Sequence, residues 1–480
     1  MILIVLVIIP LIATALSALT DRARFGAFIT LTGATGVLVL SVYSAMEVIC
    51  SSKHVLVSIP GWIAVDSFGI LILLLVAFVN MTASLFSAGY MDLDRGESRR
   101  YYSNFNLFTF SMLVVPLLQE PNMVWIALEL TTLFSVLLVG FENTHEALEA
   151  AWKYVVLTLM GAAIALLGFL ILYWAARHAN IDSYTWSGLL LIAPHMSPVL
   201  LKASFVFILA GLGAKVGLVP LHTWLPDAHS QAPSPVCALL SGVETTVVLY
   251  VILRLLPIIR LVPSIHANMW LISFGLVSVG AAAFLLLQVR DYKRLFAFST
   301  VEHMGIILTA VGIGGGMAHT GAMLQIVGHA LTKSFCFYAA GSVLLLMGTR
   351  DIGSVHGLIK RAPATGVALL SGGLAIAGAP PFVLFMSEFS ILRAGLHQQR
   401  YFVTGLLALF IAIAFFAIMN HVSRMVFGSD EASEKGISSP LPITCKLTLV
   451  IAALPVVVLG FYIHGALYKL LMLAAATMGG

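Results

Sequence analysis

Apolar runs of about 20 residues, the length a helix needs to cross about 30 Å of hydrocarbon, recur along this 480-residue chain from one end to the other. A soluble domain cannot bury so many of them. Hydrophobic residues make up 60% of the chain and charged residues only 10%, and the mean hydropathy is +1.03, a balance outside soluble composition. The expected fold is an all-α polytopic membrane protein with about fourteen spans. Numbered 1 to 14 in chain order, they are about 1–19, 25–49, 66–90, 104–119, 122–141, 146–174, 197–221, 232–256, 268–288, 293–314, 317–347, 365–395, 401–427 and 441–471. The first run, Met1 to Leu19, lacks a basic n-region and an A-x-A-type cleavage site, so it reads as a retained first helix.

Against that apolar background, ionisable residues at mid-span stand out. Lys215 lies inside Val199 to Leu221, and Glu129, Lys333 and Glu388 lie as deep in three other runs. A charge at membrane mid-depth costs a few kcal/mol or more, so such residues face a protein interior, pair with one another and mark an ion or proton path. Glu129 sits roughly 12 Å into its helix, counted from Pro121 at 1.5 Å per residue. A Glu129–Lys215 pair formed in one state and separated in another would change the lysine's protonation, because desolvation and proximity act in opposite directions. A static ion pair holding two helices together is the alternative reading.

Further polar groups extend this set. His329 and Lys333 are four apart and share a helix face, a pairing that favours a relay over a packing histidine. Glu302 and His303 lie about two turns inside their span, where a relay and a structural anchor are equally compatible with the position. His222 and His229 could line a proton entrance or anchor an interfacial segment; no third ligand has zinc spacing. Glu244 is another deep carboxylate. Lys153, at the start of its span, completes the candidate relay residues.

Two spans carry helix breakers at corresponding places. Gly211, Gly213, Gly217 and Pro220 surround Lys215, and Gly372, Gly373, Gly378, Pro380 and Pro381 precede Glu388. Interrupted helices at membrane depth are tolerated only where protein or water meets the freed backbone groups. Spans 4–8 and 9–13 then read as five-helix repeats of inverted topology around a midplane ion site. The implied division is 1–100 for the N-terminal helices, 101–258 and 259–430 for the two repeats, and 431–480 for the last helix. One set of alternate loops collects Arg22, Arg24, Arg95, Arg99, Arg100, Arg290, Lys293, Arg294, Arg350, Lys360, Arg361, Arg424 and Lys435. The positive-inside rule makes that set cytoplasmic and puts both termini on the opposite side of the membrane.

The four cysteines, Cys50, Cys237, Cys336 and Cys445, form no CxxC, and the sequence has neither a P-loop nor a dinucleotide fingerprint. No cofactor is expected in this chain, and no nucleic acid partner.

The stretches "LVPLHTWLPDAHSQAPSPVCALLSG" (218–242), "DYKRLFAFSTVEHMGIIL" (291–308), "GHALTKSFCFYAAGSV" (328–343) and "APPFVLFMSEFSILRAG" (379–395) resemble the antiporter-like proton-translocating membrane subunits of respiratory complex I, Mrp-type antiporters and membrane-bound hydrogenases. Together with "ALELTTLFSVLLVGF" (127–141) and "EALEAAWKYVVLTLMGAAIALLG" (146–168), they look most like component F of hydrogenase-4. The resemblance implies fourteen helices, a proton path from Glu129 and Lys215 through His329 and Lys333 to Glu388, and iron–sulfur and nickel–iron centres in partner subunits. It also implies other membrane subunits, including further antiporter-like ones. The chain departs from the pattern in span 8, where Thr246 occupies the position of a relative's lysine, so water, His303 or Glu244 would have to bridge Lys215 to His329. The long lateral helix that some relatives carry after span 14 is not expected. Three functions compete: a proton-moving (or Na⁺-moving) subunit of a multi-subunit oxidoreductase, a subunit of an Mrp-type antiporter without redox partner, and an inert scaffold.

Overall fold

The computed structural model describes residues 1–180, 182–428 and 440–479; Lys435, counted above with the basic loops, lies outside the described residues. The chain opens with α1 (Ile2–Ala18) and α2 (Ala23–Cys50), then a hairpin of β1 (Val55–Ile59) and β2 (Ile63–Asp66), then α3 (Ser67–Tyr90) and α4 (Arg95–Val114). Next come α5 (Pro121–Val139), α6 (His145–His178), the short α7 (Trp186–Ile192), α8 (Pro198–Val216) and α9 (Trp224–Gln231). A central run follows: α10 (Ser234–Leu239), a π-helical turn at Leu240–Glu244, α11 (Thr245–Arg254) and α12 (Leu256–Arg260). The second half holds α13 (Ala267–Leu286), α14 (Tyr292–Ile313), α15 (Gly316–Met347), α16 (Leu358–Arg361), α17 (Pro363–Ile376), α18 (Val383–His397), α19 (Tyr401–Phe427), α20 (Ile443–Phe461) and α21 (Gly465–Ala476).

Among the described residues, 11 helical segments are long and apolar enough to cross a membrane, and α1, α17 and α21 are apolar but shorter. The chain is a multi-pass helical membrane protein. Three features differ from the sequence reading. The span expected at 104–119 begins at Arg95, because Asp94 and Glu97 cap each other's backbone N–H groups in a capping box. Arg99 is therefore helical, and it pairs with Asp21 at 2.6 Å. The single span expected at 441–471 is two helices; the second starts where the His464 side chain accepts from the Ala466 N–H. Nor is the fold wholly helical, since β1 and β2 pair antiparallel and Ile63 bridges to Leu118.

Close backbone contact sets the tightest crossings. A Cβ on Gly161 of α6 would fall 2.6 Å from the Gly211 carbonyl oxygen of α8, and one on Gly275 of α13 would fall 2.7 Å from that of Gly305 in α14. In lipid, where burying Leu against Leu gains nothing over leaving it in the tails, such small-residue packing is what brings helices together. Leu133, Leu170, Phe416 and Leu454 remain exposed on the outside of the bundle, the surface that lipid tails would cover. At the centre, the Ser234–Arg260 span is buried on every side, with α14 and α15 packed against it or its neighbours.

Both expected helix breaks are present. α8 stops at Gly217, whose φ of +88° is left-handed, and the Trp224 indole N–H donates back to the Ala214 carbonyl at 2.8 Å. α17 stops before Gly378, at φ +75°, and α18 resumes at Val383. The bonds before Pro220 and Pro381 are cis.

Candidate functional site

Lys215 is the penultimate residue of α8, one step before the chain leaves helical geometry. It is 2% exposed. Its ammonium reaches α5, donating to the Leu128 carbonyl and to the Thr132 hydroxyl, the latter at 2.5 Å. Glu129 is adjacent on α5, yet it forms no ion pair with Lys215 within 4.0 Å, and both of its carboxylate oxygens are buried without a hydrogen bond among the described residues. The lysine thus sits on helix acceptors beside the carboxylate. Glu244 completes this cluster from the π-helical turn: its Oε1 accepts from Thr131 at 3.0 Å and from Tyr154 at 3.2 Å. Tyr154 in turn shares a 2.7 Å hydrogen bond with Ser135. Lys215 lies within Coulombic range of both Glu129 and Glu244.

A second cluster repeats the chemistry on other helices. Lys333 of α15, fully buried, donates to the Phe296 carbonyl of α14 at 2.8 Å and to the Ser299 hydroxyl. Each lysine is therefore held by one backbone carbonyl and one hydroxyl of a neighbouring helix, three or four residues apart. Glu302, one turn further along α14, is the carboxylate within range of Lys333. His303 donates from Nε2 to the Ile376 carbonyl at 3.0 Å, at the open end of α17, and its Nδ1 meets the Gln325 amide at 2.8 Å. A carbonyl can only accept, so the ring proton lies on Nε2 and Nδ1 accepts from Gln325. Gln325 accepts from the Ser387 hydroxyl on α18, the residue before Glu388. The Glu388 carboxylate fills the space left by the missing side chain of Gly378, where a Cβ would overlap an Oε atom.

Between the clusters lies the π-helical turn. A π-turn pulls one carbonyl out of the ordinary ladder, and the Ser241 carbonyl accepts from His329 Nε2 at 3.1 Å. The Ser241 hydroxyl pairs with Thr300 at 2.5 Å, and the His303 and His329 rings are 5.3 Å apart. One turn of helix thus presents Glu244 to the Lys215 cluster and Ser241 to the Lys333 cluster. Thr246 donates to its own helix at the Gly242 carbonyl.

The remaining candidates fall elsewhere. Lys153, 40% exposed at its side chain, joins Glu149 and Asp227 in a surface network that Arg294 also enters. His222 stands in the α8–α9 break, 6.5 Å from the Phe298 ring. His229 is fully buried, donates to the Leu225 carbonyl at 2.7 Å and leaves Nε2 without a partner among the described residues. Sequence reasoning missed Thr132, Tyr154, Ser299, Ser241 and Gln325. Thr132 and Ser299 were discernible as hydroxyls within three residues of Glu129 and Glu302 on the same helices; Tyr154 and Gln325 carried no local signal. It also missed Lys293, assigned to a loop but 1% exposed and donating to the Ala232 carbonyl at 2.6 Å.

Residues 121–415 match the family described as "NADH:quinone oxidoreductase/Mrp antiporter, TM". The chain belongs to that family. The matched stretch contains both clusters and the turn between them, and it makes the chain an antiporter-like membrane subunit. The "Hydrogenase-4 component F homolog" of Methylacidiphilum infernorum is 37% identical, over 82% of this chain and 85% of the relative. "NADH-quinone oxidoreductase subunit N" of Desulforudis audaxviator is 27% identical over 96% and 95%. Among solved structures, a chain of the "membrane-bound sulfane sulfur reductase (MBS), an archaeal respiratory membrane complex" superposes with a TM-score of 0.88 at 22% identity, covering 99% of this chain and 97% of that one. That likeness shows the shared fold.

Proposed function

We propose that the chain moves protons across a bacterial or archaeal cell membrane as one subunit of a hydrogenase-4-like or complex I-like oxidoreductase. Partner subunits would carry the electrons through iron–sulfur and nickel–iron centres. The observation that supports this most is the matched environment of Lys215 and Lys333: a buried ammonium on one carbonyl and one hydroxyl, with a carboxylate close by. Holding a charge without water depends on such acceptors. Moving the ammonium between them and a carboxylate changes the cost of that charge, which lets a conformational change at one site drive a proton at the next. Glu129 and Glu244 serve Lys215, Glu302 serves Lys333, and His329, His303, Gln325 and Glu388 continue the path. The full architecture in this reading is fourteen spans, with two inverted five-helix repeats and both termini on the non-cytoplasmic side.

The test is Lys215→Met in the intact complex, reconstituted in proteoliposomes. We expect coupled proton uptake to be lost while assembly is normal; uptake at the parent level would overturn the reading. Identifying the subunits that copurify tests the setting. Nickel–iron or iron–sulfur subunits support the oxidoreductase reading, and small antiporter subunits alone would replace it with the Mrp-type one.

A further inference from the structure

At the end of the bundle opposite the Arg290–Arg294 loop, a cavity of about 660 Å³ opens between the α12–α13 connection, the Gly314–Gly315 turn and the start of α19. Arg260 lies in its wall. The guanidinium donates to the Met478 carbonyl at 2.6 Å, the Val311 carbonyl at 2.8 Å and the Asn268 Oδ1 at 3.1 Å, and it meets His319 Nε2 at 3.2 Å. Each of these partners is neutral when the imidazole is, and the Arg260 Nε is buried with no hydrogen bond among the described residues. Arg254, six residues earlier, has a counter-ion in Asp66, whereas no carboxylate among the described residues forms an ion pair with Arg260. A partly buried cation is costly unless a counter-charge meets it, and here the cost is compounded: Arg400 and His266 also line the cavity, and among the described residues no Asp or Glu does. The cavity therefore complements an anion.

A second feature specifies what kind. An apolar groove of about 420 Å³ adjoins the cavity and shares His266, Met269 and Ser273 with it. It follows α13 from His266 to Val277, about 16 Å at 1.5 Å per residue, close to one leaflet of a hydrocarbon core about 30 Å thick. Lys202, exposed near the start of α8, stands at its rim; Val219 and Pro220, in the break after Lys215, line the groove as well. A cationic chamber at one end and a leaflet-long apolar slot leading from it fit a single molecule with an anionic head and a long hydrocarbon tail. We propose that this is a binding site for an anionic phospholipid, its phosphodiester among Arg260, Arg400 and His266 and one acyl chain along α13 against the Val219–Pro220 break.

The intact complex, stripped of lipid in detergent, would be titrated separately with phosphatidylglycerol, phosphatidylcholine and inorganic phosphate, reading bound lipid by native mass spectrometry and stability by thermal unfolding. Phosphatidylglycerol should be retained about 10-fold more tightly than phosphatidylcholine, and Lys202→Gln with Arg400→Gln should remove most of that preference. Arg260 is left intact because its donors also tie the chain together. Ser273→Trp, or Val277→Phe if the former fails to assemble, should expel the lipid by filling the groove. Equal retention of the two lipids would overturn the proposal, as would a Lys202/Arg400 double variant with the parent's preference. Stabilisation by phosphate alone, equal to that by the lipid, would replace it with a free-anion site.

Discussion

Thr132→Val separates a working lysine from a structural one, because it removes one acceptor of the Lys215 ammonium and almost no volume. The Thr132 Oγ1 lies 2.5 Å from Nζ, and a hydrogen bond to a charged group is worth about 1.5–3 kcal/mol. At about 1.4 kcal/mol per tenfold, losing it shifts the balance between the anchored and released lysine by about 10- to 100-fold. If transport requires Lys215 to alternate between its seat on α5 and the carboxylates around it, proton uptake per complex should fall by at least about tenfold. The Leu128 carbonyl remains as a second acceptor, so assembly should survive. Proton uptake in proteoliposomes, normalised to complex content, and the thermal unfolding of the same preparation are the two readouts. A lowered unfolding temperature with undiminished uptake per complex would refute the reasoning and make the contact a helix tie. Ser299→Ala at Lys333 should behave in the same way if the two sites are equivalent.

Other expectations rest on separate contacts. Glu129→Gln should depress uptake without destabilising the protein, since neither carboxylate oxygen holds a hydrogen bond that the amide would lose; reduced assembly with normal turnover would argue for a structural role. Gly378→Val should lower both stability and transport, because a side chain there combines a left-handed backbone, costing about 1–2 kcal/mol, with overlap of the Glu388 carboxylate; a fully active, equally stable variant would show that Glu388 needs no fixed seat. Glu244→Leu combined with His303→Leu should block uptake more severely than either alone, as the two face different clusters across the π-helical turn; normal uptake in the double variant would mean the clusters are not connected in series. Lys153→Ala should leave uptake within about twofold, as surface ion pairs contribute little, and a severe loss would place the Lys153–Asp227 network on the path.

Reading the sequence alone located most of the apolar helices and the titratable residues buried within them. Lys215, Lys333 and Glu388 are legible because charge is expensive in a hydrocarbon run, and Gly217, Pro220, Gly378 and Pro381 because breakers in such runs are rare. Helix ends were less legible: the start of α4 depends on the Asp94–Glu97 capping box, and the split between α20 and α21 on a cap at His464. Lys293 shows the opposite failure, a loop-like position by sequence that the fold buries.

What the sequence determines by itself is thus the solvent, the set of apolar helices and which few side chains have to be sheltered from lipid. Which partner shelters each one was decided by tertiary structure. Glu129 precedes by three residues the threonine that receives Lys215, and nothing local says that the ammonium prefers that hydroxyl to the carboxylate. Glu244 and Ser241 are three apart on one helix, yet a π-turn sends them to different clusters. Gln325 gains its role only because α14, α15 and α18 meet around it. The physical reason is that period and composition act along one helix, whereas a hydrogen bond inside the bundle is set by the rotation and depth of several helices together, fixed by contacts such as Gly161 on Gly211.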